Sequence, residues 1–509
     1  MSILKKLAGH TIIYGSSVIL ARLINVFFTP FYTNVFPEGE YGIYAQLYAY
    51  VAVINVILTF GMETTFFRFI QDSDKPKTVF NQAFFWVLSI ASAFALLGGF
   101  LSPILAGVMG YEGQGQLILM LVGIVFLDAL AALPLAKLRH EEKVKRFSII
   151  LLTNVGVTVA ANIVLIGFLE PKIEYIFVAN LLASTVRLGM ALWKNLPSSL
   201  KPDWLILKDM IHYAFYIMIA GLAGIMNETL DRIMIPERWS GESLFLGEQK
   251  LTALEMNGIY AANYKVAVFI LLATQAFRYA VEPFFFKEAK SKDSPENFAK
   301  IFHYFSLTTL VGFLILASFS YEIVAFEFFG IPEAMGFGKK TFVNASYWSG
   351  IPVIPILLMA YVFSAAYIQM SIWFKITKQT RFALLFTGTG ALITILINYF
   401  GIPIYGFYAS AWATLICYAV MCVMVYFVGQ KYYPIPYRVR RILIYGGIFL
   451  LGYYFNTMIG PAEGFADAFL IKSFICLLVF GVVFLGEKYL PVFGKAVPVA
   501  KDGKAGNNP

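Results

Sequence analysis

The sequence predicts an all-α polytopic membrane protein with about fourteen transmembrane helices. Its 509 residues are 59% hydrophobic and only 14% charged, whereas an average soluble protein is about 25% charged. The 39 basic and 30 acidic residues are too few to solvate a surface of this size, so much of it must face lipid. The apolar residues form long continuous runs rather than the alternating pattern of barrel strands. This composition excludes a water-soluble enzyme and a secreted disulfide scaffold.

The predicted spans follow one another with short connectors, since about 20 mostly apolar residues suffice to cross a membrane. The first run, after Lys5 and Lys6, is too long for the apolar part of a signal peptide and has no cleavage site, so we expect it to be retained. In order, the runs cover residues 11–36, 41–70, 78–107, 116–138, 147–168, 172–195, 208–236, 256–286, 299–328, 341–374, 381–401, 404–430, 438–459 and 466–488.

The basic residues predict the orientation of these spans. With a cytoplasmic N-terminus, 28 of the 39 Lys and Arg residues fall in inside connectors and tails, and 5 fall in outside connectors. This asymmetry supports the span count and predicts that both termini are cytoplasmic. The net charge of +9 is thereby explained by topology, and no nucleic-acid partner is expected.

An internal repeat predicts two lobes. A shift of 216 positions aligns Gly42-Ile43-Tyr44-Ala45 with Gly258-Ile259-Tyr260-Ala261, and Tyr48 with Tyr264. The two segments lie six spans apart and therefore share one orientation, as in transporters built from parallel repeats. We expect two pseudo-symmetric six-helix lobes plus two extra C-terminal helices. The expected ranges are 1–200 for the N-terminal lobe, 201–433 for the C-terminal lobe, 434–490 for helices 13 and 14, and 491–509 for a disordered cytoplasmic tail.

Polar residues form stripes on several spans. They recur at three- and four-residue spacings, which place them on one helix face. Because polar residues in a span are costly and usually face the interior, we interpret the stripes as the lining of one central cavity. The stripes comprise Arg22, Asn25, Thr29 and Thr33 on the first span; Tyr44, Tyr48, Asn55, Thr59 and Glu63 on the second; Glu228, Asp231 and Arg232 on the seventh; and Asn257, Tyr260, Tyr264, Gln275, Arg278 and Glu282 on the eighth, with Lys265 at its edge.

The charged residues inside spans divide into paired and unpaired groups. Arg22 and Lys265 have no acidic neighbour in sequence, and we expect them to be functional because an unpaired cation in a membrane is costly. Structural and functional roles both stay open for two local sets, Glu228 or Asp231 with Arg232, and Arg278 with Glu282. Asp128 and Arg187 are expected to pair across the fourth and sixth spans, and Arg68 is expected to reach the headgroups.

The sequence contains no recognisable metal-binding or nucleotide-binding motif. Cys417, Cys422 and Cys476 lie in apolar runs and are interpreted as buried hydrophobes. The four histidines are scattered, and no P-loop motif occurs. No cofactor is expected, and transport is expected to draw on H⁺ or Na⁺ exchange, the membrane potential or the gradient of the substrate itself.

Several motifs resemble those of polysaccharide transporters in the multidrug/oligosaccharidyl-lipid/polysaccharide exporter (MOP) superfamily. The resemblance implies two lobes around a V-shaped cavity, alternating access and no enzymatic activity. It also implies that the cargo is an undecaprenyl-pyrophosphate-linked oligosaccharide, flipped from the cytoplasmic to the periplasmic leaflet of a bacterial inner membrane for surface polysaccharide or lipopolysaccharide synthesis. The motifs are Arg22 with Pro30-Phe31-Tyr32-Thr33, Glu40-Tyr41-Gly42-Ile43-Tyr44, Gly61-Met62-Glu63, Phe67-Arg68-Phe69, Asn227 to Arg232, Gly258-Ile259-Tyr260 and Glu282-Pro283.

The resemblance implies roles for the polar residues of the stripes. Cations suit a diphosphate, for which arginine is the preferred bidentate partner. The expected diphosphate-binding set is Arg22, Lys265, Arg278 and Arg232, with Arg68 as a weaker member. The expected cavity lining is Asn25, Tyr44, Tyr48, Asn55, Tyr260, Tyr264 and Gln275. The candidates for ion coupling are Glu63, Glu228, Asp231 and Glu282.

Other functions remain as alternatives. A lipid II flippase of the same superfamily would share the fold and the headgroup chemistry, and a multidrug or cation antiporter comes third. A membrane glycosyl polymerase or ligase is disfavoured because no outside connector exceeds about twenty residues, which leaves no room for a periplasmic catalytic loop. The expected partners are the lipid-linked glycan and the membrane lipids, and no nucleotide partner is expected. We expect the protein to be a monomer that works beside glycan polymerase machinery.

Overall fold

The computed structural model describes residues 19–489, except 21, 22, 25, 72, 74, 242–250, 290, 292, 328–340, 378, 380 and 460–464. Within these ranges the chain is almost entirely helical. The only strand-like pairing in this part of the chain is an isolated bridge between Glu327 and Thr341. The predicted all-α membrane fold is therefore confirmed.

Fourteen helices occupy the places of the fourteen predicted spans. Twelve of them, α2 to α12 and α14, are long and apolar enough to cross a membrane. The helices of the N-terminal lobe are α1 (residues 26–35 as described), α2 (Glu38–Gln71), α3 (Pro76–Phe100), α4 (Gly115–His140), α5 (Val144–Leu169) and α6 (Glu174–Leu192). They continue with α7 (Trp204–Arg238), α8 (Ala253–Glu288), α9 (Ser294–Ser318), α10 (Val353–Ile376), α11 (Arg381–Tyr405), α12 (Phe407–Tyr432), α13 (Val439–Thr457) and α14 (Phe465–Tyr489).

Two helices stand outside the twelve for different reasons. Helix α1 is described only in part. Helix α13 has 19 residues, but Arg440 and Arg441 in its first turn lower its mean hydropathy. Elsewhere the predicted ends move by several residues. The ninth span, for example, ends at Ser318 and is followed by a separate short helix, Ser320–Val324.

The two lobes pack their helices in the same pattern. In the N-terminal lobe α3 packs on α4, α4 on α6, and α5 on α6. Six helices later, α9 packs on α10, α10 on α12, and α11 on α12. The predicted pseudo-symmetric lobes are thus present in the structure.

The lobes meet where α2 crosses α8, near the first turns of both helices. A Cβ atom added to Gly42 would lie 2.8 Å from the carbonyl carbon of Leu254, and one added to Gly258 would lie 2.9 Å from that of Glu38. Glu38 and Leu254 are themselves 216 positions apart, so the two contacts are reciprocal. The Asn257 side chain adds a hydrogen bond by donating to the Gly42 carbonyl at 3.0 Å. Only glycine permits this approach of the two backbones.

Further contacts close the same end of the bundle, which the predicted topology places outside the cell and which we call the outer end. Asn34 donates to the carbonyl oxygen of Thr341 at 2.7 Å, and the Tyr347 hydroxyl donates to that of Phe36 at 2.8 Å. Each of these bonds joins the N-terminal lobe to the segment before α10. The lobes are therefore held together at the outer end.

The last two helices are attached to the C-terminal lobe through α9. Lys472 of α14 lies 2.6 Å from Glu322, just beyond α9, and both side chains are 9% exposed. Asn456 of α13 donates to the Ser318 hydroxyl at 2.8 Å. A buried ion pair that lost one partner would be strongly destabilised, so these contacts fix the two extra helices to the lobe.

Candidate functional site

A group of charged and tyrosine side chains faces α2 in the outer part of the C-terminal lobe, about two to three turns from the outer ends of α7, α8 and α10. We define the central polar cluster as Glu228, Asp231 and Arg232 of α7, Tyr260, Tyr264 and Lys265 of α8, and Tyr361 of α10. Within it, Asp231 accepts a hydrogen bond from the Tyr260 hydroxyl at 2.6 Å and another from the Arg232 backbone amide at 2.8 Å. Asp231 is buried, and these two donors compensate its loss of water.

Arg232 is held by an aromatic ring. Its guanidinium carbon lies 3.9 Å from the centre of the Tyr264 ring, an attractive cation–π geometry. One guanidinium nitrogen also donates to the Glu228 carbonyl oxygen at 3.3 Å. The local pairing of Asp231 with Arg232 that the sequence left open is thus indirect: the Asp231 side chain turns to Tyr260, and its charge acts on Arg232 through space.

Lys265 adds a second cation within electrostatic range of Arg232. Among the residues that the structure describes, no carboxylate forms an ion pair with Lys265. Two neighbouring cations in a poorly solvated site repel each other. An anionic ligand that contacts both would relieve this repulsion.

The tyrosines continue from Tyr264 into the C-terminal lobe. The Tyr264 and Tyr361 hydroxyls share a hydrogen bond, and the Tyr361 ring lies 6.3 Å from that of Tyr418 on α12. The charge of Glu228 acts on all three of these tyrosines. Glu228 is therefore part of the cluster, as the stripe on the seventh span predicts.

A second row of tyrosines faces the cluster from the N-terminal lobe. The Tyr44 ring lies 5.5 Å from Tyr32 and 4.7 Å from Tyr48, and Tyr48 stacks on Phe177 at 5.6 Å. Arg232 is within electrostatic range of Tyr44, which places this row beside the cluster. The Tyr48 hydroxyl is buried and has no hydrogen-bond partner in the described part of the chain.

The predicted pair of Asp128 and Arg187 is present as an ion pair between α4 and α6. The six-helix repeat relates these helices to α10 and α12, which carry Tyr361 and Tyr418. Asp128 also acts electrostatically on Tyr48. In the C-terminal lobe, the repeat-related residue Tyr264 contacts Tyr361. The two lobes thus carry an ion pair and a tyrosine pair at corresponding places.

The structure separates other predicted residues from the cluster. Arg68 is exposed on the last turn of α2. Glu63 forms an ion pair with Arg139 at the end of α4. Gln275 is buried, and Arg278 lines a small cavity with Lys375. Since thirteen positions of helix separate Arg278 from Lys265, these two cations lie about 20 Å apart along α8.

Of the remaining predicted residues, Asn55 is described by the structure and the side chains of three others are not. Asn55 lies on α2, and its side-chain oxygen is buried without a hydrogen-bond partner in the described chain. Arg22, Asn25 and the side chain of Glu282 lie outside the described residues. Tyr361 and Tyr418 are part of the site but were not predicted, because they lie outside the segments that the 216-position shift aligns.

Comparison with known proteins supports the resemblance. A family model described as "Polysaccharide biosynthesis protein" matches residues 36–268, which include α2 and most of the central polar cluster. No curated protein sequence matches the chain significantly.

Several solved structures of transporters are similar to the chain. One is an inward-facing multidrug resistance MATE family transporter of the MOP superfamily, which aligns with 14% identity and a TM-score of 0.61 over 81% of this chain and 94% of its own. Another is a MOP superfamily transporter from Pyrococcus furiosus Vc1, with 15% identity and a TM-score of 0.56 over 84% and 94%.

The chain has the fold of a MOP-superfamily transporter. At these identities the structural likeness shows the fold, and the family match adds a sequence similarity over residues 36–268. The predicted resemblance to the polysaccharide transporter branch is confirmed, as is the prediction of a multi-pass membrane fold. An outward-facing MATE transporter also aligns, with a TM-score of 0.56 and 13% identity over 84% of this chain and 95% of its own.

Proposed function

We propose that this MOP-fold transporter flips an undecaprenyl-pyrophosphate-linked oligosaccharide from the cytoplasmic to the periplasmic leaflet by alternating access. The observation that carries the proposal is the pair of neighbouring cations, Arg232 and Lys265, set between two rows of tyrosines where the lobes face each other. The family match to polysaccharide biosynthesis proteins supports a glycan cargo.

The chemistry of the cluster suits a sugar diphosphate. Arginine binds phosphate oxygens through paired N–H donors, and lysine adds a compact positive charge. Tyrosine rings offer flat apolar faces to sugars, and their hydroxyls offer hydrogen bonds. The Tyr48 hydroxyl, which has no partner among the described residues, is available for such a bond. The polyprenyl chain would remain in the lipid throughout.

Asp231 is our first candidate for ion coupling, with Glu228 beside it. Asp231 partly compensates the positive charge of Arg232 while it is ionised. Binding of H⁺ or Na⁺ at Asp231 would remove this compensation and strengthen the attraction of the site for a diphosphate. Release of the ion would weaken it, so binding of the ion and binding of the diphosphate would be thermodynamically linked.

The cellular setting is part of the same proposal. The inside excess of basic residues supports both termini in the cytoplasm, and an undecaprenyl-linked cargo implies a bacterial inner membrane. A monomer that passes its cargo to glycan polymerase machinery fits this setting.

A reconstituted flipping assay tests the proposal. Purified protein in liposomes would receive a fluorescent undecaprenyl-pyrophosphate oligosaccharide, and flipping would be followed by quenching in the outer leaflet. We expect R232Q/K265Q to slow flipping at least tenfold, since one hydrogen bond to a charged group contributes about 1.5–3 kcal/mol. The control R68Q removes an exposed cation and should flip normally. Unchanged flipping by R232Q/K265Q would contradict the site.

The cargo is tested separately by deleting the protein in its host and identifying the lipid intermediate that accumulates in the cytoplasmic leaflet. An oligosaccharide on undecaprenyl pyrophosphate is the expected result. Accumulation of lipid II would replace the proposal with the peptidoglycan alternative. Export of cationic drugs with no lipid intermediate would favour the antiporter.

A further inference from the structure

Helices α13 and α14 form an open groove at the end of the bundle where α13 begins. The groove has a volume of about 800 Å³. Arg438, Arg440 and Arg441 line its mouth. None of the described residues that line it is acidic. Three arginines within four positions thus give the mouth a concentrated positive charge.

Farther along, the walls of the groove become apolar. Ile444 and Ile448 of α13 and Val482 of α14 line this part. The neighbouring residues Leu443 and Phe484 are each 66% exposed, as expected for helix faces in contact with lipid. The groove therefore joins a cationic mouth to an apolar channel that is open to the bilayer.

Arg441 is fixed in place by a network of contacts at the mouth. Its guanidinium donates to the Gly486 carbonyl oxygen at 2.6 Å and to the Tyr445 hydroxyl at 2.7 Å. It also lies 3.1 Å from the carboxylate of Glu487, which is 3.2 Å from His303 of α9. Glu487 compensates the charge of Arg441, and the side chains of Arg438 and Arg440 are exposed beside it.

We propose that this groove binds an anionic phospholipid of the cytoplasmic leaflet. The phosphate would lie against Arg438 and Arg440, and one acyl chain would follow Ile444, Ile448 and Val482. Basic pockets between membrane helices on the cytoplasmic side recognise anionic headgroups in this way. The charge asymmetry of the connectors assigns this end of α13 to the cytoplasm. The site is separate from the central polar cluster and requires no assumption about the cargo.

Native mass spectrometry of the full chain in detergent tests the proposal. The probes are phosphatidylglycerol and phosphatidylcholine, which differ in net headgroup charge. Because each arginine near an anionic surface is worth about a fivefold change in affinity, we expect R438Q/R440Q to bind phosphatidylglycerol about 25-fold more weakly. Binding of phosphatidylcholine should not change. The control K201Q/K208Q removes two exposed lysines from the same predicted side and should bind as the unmodified chain does.

Several results would overturn the proposal. They are equal binding of the two lipids by the unmodified chain, an equal loss in the control, and displacement of phosphatidylglycerol by inorganic phosphate at similar concentration. The last would mean that the acyl chain contributes nothing. Arg438 and Arg440 are exposed, and Arg441 keeps its contacts, so the variants should fold, as thermal unfolding would verify. R232Q should bind phosphatidylglycerol normally, which separates this test from that of the proposed function.

Discussion

Replacing either glycine of the α2–α8 crossing with alanine should force the lobes apart at the outer end. The new methyl carbon would lie 2.8 Å from the Leu254 carbonyl carbon in G42A and 2.9 Å from the Glu38 carbonyl carbon in G258A. Favourable carbon–carbon contacts lie near 3.5–4.0 Å, and the two carbonyl oxygens would lie closer still to the methyl carbons, so the helices must separate by more than about 1 Å. Overpacking of this kind costs about 1–3 kcal/mol. If the strain is relieved when the outer end opens, the open-to-closed ratio rises about 5- to 150-fold.

Electron spin resonance distances across the outer end measure this shift. Spin labels at Glu170 and Ser240, exposed positions in opposite lobes, report how far apart the lobes lie. We expect longer distances to gain population in G42A and G258A, and flipping to slow because closure becomes unfavourable.

The matched control is Gly39 on the same turn of α2. A Cβ there would meet its nearest atom, in Glu255, at an ordinary 3.8 Å. G39A should therefore leave both readings unchanged. If G42A and G258A behaved like G39A, the reasoning that this crossing holds the outer end closed would be wrong.

Two further predictions concern buried polar groups. Y260F removes the donor to Asp231 and should lower stability by about 1–3 kcal/mol, seen as a lower thermal unfolding temperature in detergent; Y304F, on an exposed tyrosine, is the control and should change nothing. D128N or R187Q alone should destabilise by about 2–4 kcal/mol because one charge is left without its partner, whereas D128N/R187Q should recover part of the loss; a double variant as unstable as the sum of the two would refute direct pairing.

Much of the fold could be predicted from the sequence because membrane helices are governed by local rules. Each span must satisfy its backbone hydrogen bonds internally and cover itself with apolar side chains, so continuous runs show where helices lie. The repeat around Gly42 and Gly258 showed further that two spans are equivalent. It pointed to Tyr260 and Tyr264, which the structure places beside Asp231 and Arg232.

The depth of a side chain along a helix was harder to predict. Periodicity identifies a face, but α8 has 36 residues and is therefore about 54 Å long. Tyr264 and Arg278 share the same side of this helix, yet the fourteen positions between them place them about 21 Å apart along it. Glu63 illustrates another limit, because its partner Arg139 comes from a different helix, and no pattern within one span indicates such a contact. Tyr361 joins the site through tertiary packing alone.

The distribution of charge between the lobes has a consequence for the proposed transport cycle. Arg232 and Lys265 both belong to the C-terminal lobe, whereas the facing tyrosines 44 and 48 belong to the N-terminal lobe. A headgroup bound between them would have its diphosphate held by one lobe and its sugars partly held by the other. Rocking of the lobes must then break the sugar contacts while the diphosphate stays bound. Release of the cargo at the outer end would then require a second event that weakens the cationic site.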